Sequence, residues 1–345
     1  MGIVKNYHLG RRILASNLNT PSNRMPYKLT YAVTYRCNSR CTNCGIWKRE
    51  SRDELTLGEI DRFFSDNPRF LWIDLTGGEI FLRDDIVDIV NVISKRCKHL
   101  HTLHFPTNGL MTERIVETTK LIKKLGINKM IVSVSIDGPP EIHDKIRGIK
   151  GGFERAIETY KQLKGVGGIS VYPGMTLSGE NVGLIGDTIK SIRQNDPDFS
   201  FKDLHVNIIH SSPHFYGNSI DSYPYQEISE AVKRFTRMKK FEANPISVLE
   251  RAYAKGVGKY LESKKSPMPC HALTVSMFLD PDGNVFPCTM YDKKIGKIRD
   301  SNFPDIWSEK ETRKTAREIN ALKCPQCWTP CEAYQSILAN MLRKR

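Results

Sequence analysis

A chain of 345 residues with 39% hydrophobic and 26% charged residues has the make-up of an ordinary globular protein, long enough for one large domain and a smaller one. It lacks the run of about 18 apolar residues that a membrane helix needs. Its opening stretch, MGIVKNYHLGRRIL, has no apolar core of a secretory signal, so a cytoplasmic location is expected. The formal net charge of +14 suits anionic substrates, nucleic acid or an anionic lipid surface, although the Lys and Arg residues are spread along the chain as on a solvated surface.

In chain order, a segment over 1–28 comes first. Its basic and apolar mixture between Tyr7 and Leu14 suits packing on the next domain or peripheral contact with a membrane. From 29 to about 210, apolar or alternating runs are each followed by a helical period. Strands are expected at 29–35, 70–76, 101–106, 129–136, 170–176 and 204–209, and helices at 57–65, 84–95, 113–125, 153–164 and 182–194. Strand alternating with helix is the pattern of a parallel α/β sheet, either a partial (β/α)6 TIM-like barrel or a doubly wound sheet. No Gly-x-Gly-x-x-Gly follows the first strand, which counts against the dinucleotide-binding version. The expected barrel domain is 29–212. A helical connection over 213–268 follows, with helices at 225–240 and 245–263 and a linker at 264–269. A small cysteine-rich C-terminal domain, 269–345, contains the hairpin signal FLDPDGNVFPC.

Nine cysteines fall into two groups. Cys37, Cys41 and Cys44 lie within eight residues, five more lie between 270 and 331, and Cys97 stands alone. Without an export signal, such clustering points to metal ligation or redox chemistry and away from disulfides. Cys97, in IVDIVNVISKRC, reads as a buried structural thiol. Three thiolates in Cys-x3-Cys-x2-Cys spacing just after the first strand suit three irons of a four-iron cluster. The fourth iron is then open to a small molecule bearing an amine and a carboxylate. Structural zinc would want a fourth ligand close by.

Three more motifs stand at the C-terminal ends of the next strands: Thr76-Gly77-Gly78-Glu79, Thr107-Asn108-Gly109 and Ser135-Ile136-Asp137-Gly138. Singly, each contains a common turn dipeptide. Four ordered motifs at four successive strand ends make the equipped rim of a barrel. There, glycines would let the backbone approach a ligand, and Glu79 would offer a carboxylate to an ammonium.

Together these residues resemble the radical S-adenosylmethionine (SAM) superfamily over roughly 29–210. The resemblance implies a [4Fe-4S] cluster on Cys37, Cys41 and Cys44, with SAM on the open iron. It implies reductive cleavage of SAM to a 5′-deoxyadenosyl radical that abstracts a substrate hydrogen, with reduced ferredoxin or flavodoxin as electron donor. Gly77, Gly78 and Glu79 would contact the SAM amine and Ser135 the ribose, with Asn108 and Asp137 in the same cofactor-binding set. The family usually has an aromatic residue before the third cysteine, where Asn43 stands here. EIHDKIRGIKGGFERAI extends the resemblance, and His143 and Arg147 within it read as structural or carboxylate-pairing residues.

Towards the C-terminus, Cys270-x12-Gly283-x4-Cys288 precedes Cys324-Pro-Gln-Cys327-Trp-Thr-Pro-Cys331. Composition alone favours a zinc site here. Behind a radical SAM core, the pattern resembles SPASM and twitch domains and implies an auxiliary [4Fe-4S] cluster. Cys270, Cys288, Cys324 and Cys327 match the twitch pattern, and Cys331 is a spare or a substitute. A thiol-redox role for Cys324 and Cys327 lacks the usual βαβ setting.

The expected substrate is a small molecule, sugar or lipid-linked intermediate, with an anionic one favoured by the charge. The alternative is maturation of a ribosomal peptide, against which only 36 residues precede Cys37. A reading from another class, a non-catalytic iron–sulfur or zinc protein that binds a partner or nucleic acid, does not account for Gly-Gly-Glu at a strand end beside three cysteines.

Overall fold

All seven residues of the first strand, β1 (Lys28–Thr34), are buried, the pattern of a parallel strand covered on both faces. The structure is a computed structural model that describes residues 25–49, 53–219, 224–238 and 245–343. The segment from Tyr7 to Leu14 lies outside those residues.

After β1 come α1 (Leu57–Asp66), β2 (Trp72–Gly77), α2 (Ile86–Arg96), β3 (Thr102–Thr107) and α3 (Thr112–Lys123). Next are β4 (Lys129–Ser135), α4 (Pro140–Arg147), α5 (Gly152–Gly165), β5 (Ser170–Leu177), α6 (Ile185–Asn195) and β6 (His205–Ile208). The six strands are parallel, and each pairs with its sequence neighbour in the order β6-β5-β4-β3-β2-β1. A doubly wound sheet reverses direction after its first strands. This one does not, so the open, TIM-like partial barrel stands. In β4, Met130, Val132 and Val134 are buried in the main core, and the alternate residues are half-buried. The half-buried face is the concave interior, and the covered face carries the helices.

Two features differ from the sequence expectation. Helix α4 was not anticipated; Pro140 in its first turn and left-handed Gly148 (φ 66°) at its end are ordinary start and stop signals that the short apolar pattern does not announce. The C-terminal hairpin also forms, but as part of the barrel sheet. Its strands β7 (Ser276–Leu279) and β8 (Asn284–Phe286) are antiparallel, and the other edge of β7 pairs in parallel with β1. An open barrel leaves the edge of β1 unpaired, and a fully buried run such as SMFL fills that edge.

The connection contains α7 (Tyr225–Met238) and α8 (Pro245–Ser263). Beyond β8, a short β9 (Gly296–Lys297) precedes α9 (Phe303–Ser308), α10 (Lys310–Asn320) and α11 (Pro330–Arg343). Phe303 of α9 meets Phe63 of α1 edge-on, ring centroids 5.3 Å apart, which joins the C-terminal segment to the barrel's helical layer.

Candidate functional site

The cysteine loop leaves β1 at the C-terminal rim and is held from several sides by backbone and side-chain hydrogen bonds. Gly78 N donates to Thr34 O and Glu79 N to Arg36 O, each at 2.8 Å. A Cβ on Gly77 would stand 2.0 Å from Thr34 O, and one on Gly78 would stand 2.1 Å from Arg36 O. The two glycines therefore admit the neighbouring backbone. From α4, the carbonyls of Arg147 and Ile146 accept from Arg40 N at 2.9 Å and Thr42 N at 2.8 Å. From the loop after β6, Tyr216 O accepts from Gly45 N at 2.6 Å, and Asn218 Nδ2 donates to Asn43 O at 2.8 Å.

Glu79 is almost fully buried and occupied. Its carboxylate accepts from Thr107 Oγ1 at 3.0 Å, Asn108 N at 2.8 Å and Phe81 N at 3.5 Å. Burial pushes its pKa up to about 7 against the pull of those donors. Asn108 in turn donates from Nδ2 to Asn38 Oδ1 at 2.7 Å, so the strand-three motif steadies the residue next to Cys37. Ser135 is half-buried at the end of β4.

Asp137 is buried, accepts from Thr176 N at 2.8 Å and pairs with Arg147 Nη2 at 2.6 Å. The other arm of the guanidinium, Nη1, lies 3.8 Å from Cys41 Sγ, and Nε has no hydrogen-bond partner. A fixed cation thus stands beside one of the three candidate ligand sulfurs. His143 accepts from Asp137 N through Nδ1 at 3.2 Å, and burial, helped by Arg147, lowers its pKa to about 4. It is a neutral structural residue. The sequence reading anticipated the Arg147 pairing with a carboxylate but not its contact with Cys41. Asn38, Tyr216 and Asn218 were also missed, because their role is to hold a loop far away in sequence.

Cys37, Cys41 and Cys44 are all half-buried. Burial raises the Cys37 pKa and pushes that of Cys44 up to about 11, so loading with metal would release protons. At the second group, Cys270, Cys288, Cys324 and Cys327 line one cavity with Glu332 and Trp328. Cys331 does not line it. It lies in the first turn of α11, where its carbonyl accepts from the buried Lys28 ammonium. Burial pushes the thiol pKa of Cys327 up to about 12 and raises that of Cys288. Glu332, also buried, is pushed up to about 7. Among the described residues, no three His, Cys, Asp or Glu side chains gather at the spacing of a single bound ion. Cys97 is buried behind α2, as expected. No described helix is long and apolar enough to cross a membrane.

Comparison with known proteins agrees with this geometry. A family model described as the radical SAM superfamily matches residues 31–192, and the SPASM model, described as an iron–sulfur cluster-binding domain, matches 270–332. The antilisterial bacteriocin subtilosin biosynthesis protein AlbA of Bacillus subtilis is 26% identical over 313 residues, covering 87% of this chain. The match takes in 64% of AlbA, so the chain spans less than two thirds of that relative. An AdoMet-dependent heme synthase of Nitratidesulfovibrio vulgaris is 24% identical, over 87% of this chain and 84% of the relative. Streptococcus suis SuiB, solved bound to precursor peptide SuiA, shares the fold with a TM-score of 0.62 at 15% identity, covering 96% of this chain and 74% of SuiB.

Proposed function

We propose that this chain, which matches the radical SAM model over 31–192 and the SPASM iron–sulfur cluster-binding model over 270–332, is a radical SAM enzyme acting on a peptide. Such domains imply SAM and [4Fe-4S] clusters, and a reductant is required. The observation that carries the reading is the three-cysteine loop clamped to the barrel rim with the Arg147 cation beside Cys41. Cys37, Cys41 and Cys44 would hold a four-iron cluster, which together with SAM would supply the radical chemistry for hydrogen abstraction from the substrate.

This chain's residues contribute position and charge. Arg147, held by Asp137, would place its positive charge against the cluster's Cys41 sulfur. Glu79 braces the end of β3, and the Gly77–Glu79 backbone is left to meet the SAM amine, with Ser135 towards the ribose and Asn108 holding the cysteine loop. Cys270, Cys288, Cys324 and Cys327 would hold the auxiliary cluster at their shared cavity, with Cys331 outside it. The electron donor is a ferredoxin or flavodoxin, whose acidic surface suits a chain of net charge +14.

The peptide takes precedence over the small molecule, sugar or lipid expected from the sequence. AlbA is named for bacteriocin biosynthesis, and SuiB was solved with a precursor peptide. The concave face is polar: His104, Ser133, Ser135, Tyr172, Thr176 and Asn207 are all half-buried on its strands. Such a surface suits peptide amides better than a lipid or a porphyrin.

The test is 5′-deoxyadenosine release by the anaerobically reconstituted protein with dithionite and SAM. Release above a Cys37→Ala control is expected, and none would end the enzyme reading. A pool of short cysteine-, serine- and threonine-containing peptides should accelerate release several-fold. Acceleration by an iron porphyrin and by no peptide would reassign the substrate to the heme-synthase type.

A further inference from the structure

Three adjacent strands each place one polar side chain on the concave face, and through Lys28, which also reaches the Cys331 carbonyl, the first of them borders the C-terminal cysteine segment. Asp74 Oδ1 of β2 lies 3.3 Å from His104 Nδ1 of β3, and His104 Nε2 lies 2.9 Å from Ser133 Oγ of β4. Ser133 shares its face with Ser135 two residues on, which sets it about 7 Å below the rim at the usual strand rise. It therefore sits beneath the place the rim assigns to SAM.

Asp74 does not need the imidazole to be satisfied. Lys28 Nζ lies 3.0 Å from Oδ2, and Trp72 Nε1 donates to Oδ1 at 2.7 Å. Burial alone would raise the Asp74 pKa, but the Lys28 ammonium, with His104, outweighs it and keeps the carboxyl below its usual range. A carboxylate only accepts, so the proton of a neutral His104 belongs on Nδ1, and Nε2 is left to accept from the Ser133 hydroxyl. The pair is also reachable: 28% of the His104 side chain is exposed, against 10% for Asp74, and Ser133 is half-buried. A carboxylate that orients an imidazole, which then takes a hydroxyl proton, is an acid–base device.

We propose that Asp74, His104 and Ser133 form a proton relay that takes the proton of a thiol on the substrate, an inference that rests on the radical SAM reading of the rim above it. The substrate S–H bond breaks as its proton passes to Ser133 Oγ, while the Ser133 O–H proton passes to His104 Nε2. The imidazolium so formed is held by Asp74, and the substrate is left as a thiolate with no oxidant consumed. A thiol suits the device because, with an ordinary pKa of about 8.5, it gives up its proton far more readily than an alcohol does. For a peptide, the group is a cysteine side chain.

The test is long-range nitrogen–proton NMR on the full-length holoprotein with oxidised clusters, labelled with 15N-histidine at pH 8 and assigned with His104→Gln. A neutral His104 protonated at Nδ1 is expected. Ser133→Ala should shift the Nε2 resonance and leave Nδ1–H in place, and Asp74→Asn should lose the Nδ1–H preference. An Nε2–H tautomer or a fixed imidazolium in the wild type would overturn the relay. Should Asp74→Asn not fold, the wild type and Ser133→Ala still decide. SAM cleavage in the same preparation reports on the rim separately, so failure of the relay and failure of the radical SAM reading give different results.

Discussion

The guanidinium of Arg147 lies between the Asp137 carboxylate and the Cys41 thiol, so one planar group can serve a buried anion and a candidate ligand at once. The sequence reading expected a structural or carboxylate-pairing role for Arg147 without naming the carboxylate. It could not show the thiol, which is 106 residues away and is brought near by α4 crossing the cysteine loop. Glu79 carries a prediction at this scale. Its folded pKa is raised from 4.5 to about 7, chiefly by burial. Below 4.5 the carboxyl is protonated in both states; as pH rises to about 7 the unfolded chain gives up its proton first, and stability falls. Glu79→Gln removes that loss. Between pH 4.5 and 8 it should therefore gain on the wild type by about 2–3 kcal/mol, read by urea unfolding of the cluster-free chain. An unchanged difference across that range would show that the Glu79 pKa is not raised in the folded state.

Among the elements, the strand ends were legible and the C-terminal helices were not. Alternation in β4 and continuous burial in β1 leave a period in the sequence. The sequence reading named no helix in the C-terminal segment, although α10 is amphipathic with Thr312, Thr315 and Ile319 buried. Spacing alone also left five cysteines competing for four places. The turn of α11 directs the carbonyl of Cys331 to Lys28, whereas Cys324 and Cys327 precede the helix and line the cavity. Cys327→Ser is thus expected to cost about four of eight irons, and Cys331→Ser none, by iron and sulfide analysis with Mössbauer spectra. The reverse result would place Cys331 in the ligand set.

For the whole molecule, β7 pairs with β1 and Phe303 packs on Phe63, so the cysteine-rich segment completes the barrel as well as carrying thiols. Ending the chain at 268 should expose the β1 edge and open the core around Leu279 and Phe303, both buried. We expect the shortened chain to aggregate or to unfold at markedly lower denaturant than the full chain, as measured by light scattering and urea titration. A monomeric fragment of unchanged stability would show that the segment is an independent domain.

The sequence by itself determined the chemistry, because three thiols on one loop, and glycine and carboxylate motifs at successive strand ends, are local patterns that need no long-range contact to be recognised. It also determined the strand–helix alternation that makes the sheet parallel. Only the tertiary structure decided which way the sheet was wound, that β7 closes its open edge, that Gly77 and Gly78 yield to backbone, and that Arg147 reaches Cys41. Each of these is a contact between segments whose spacing in the chain carries no period, and burial and backbone pairing select it only once the whole core has formed.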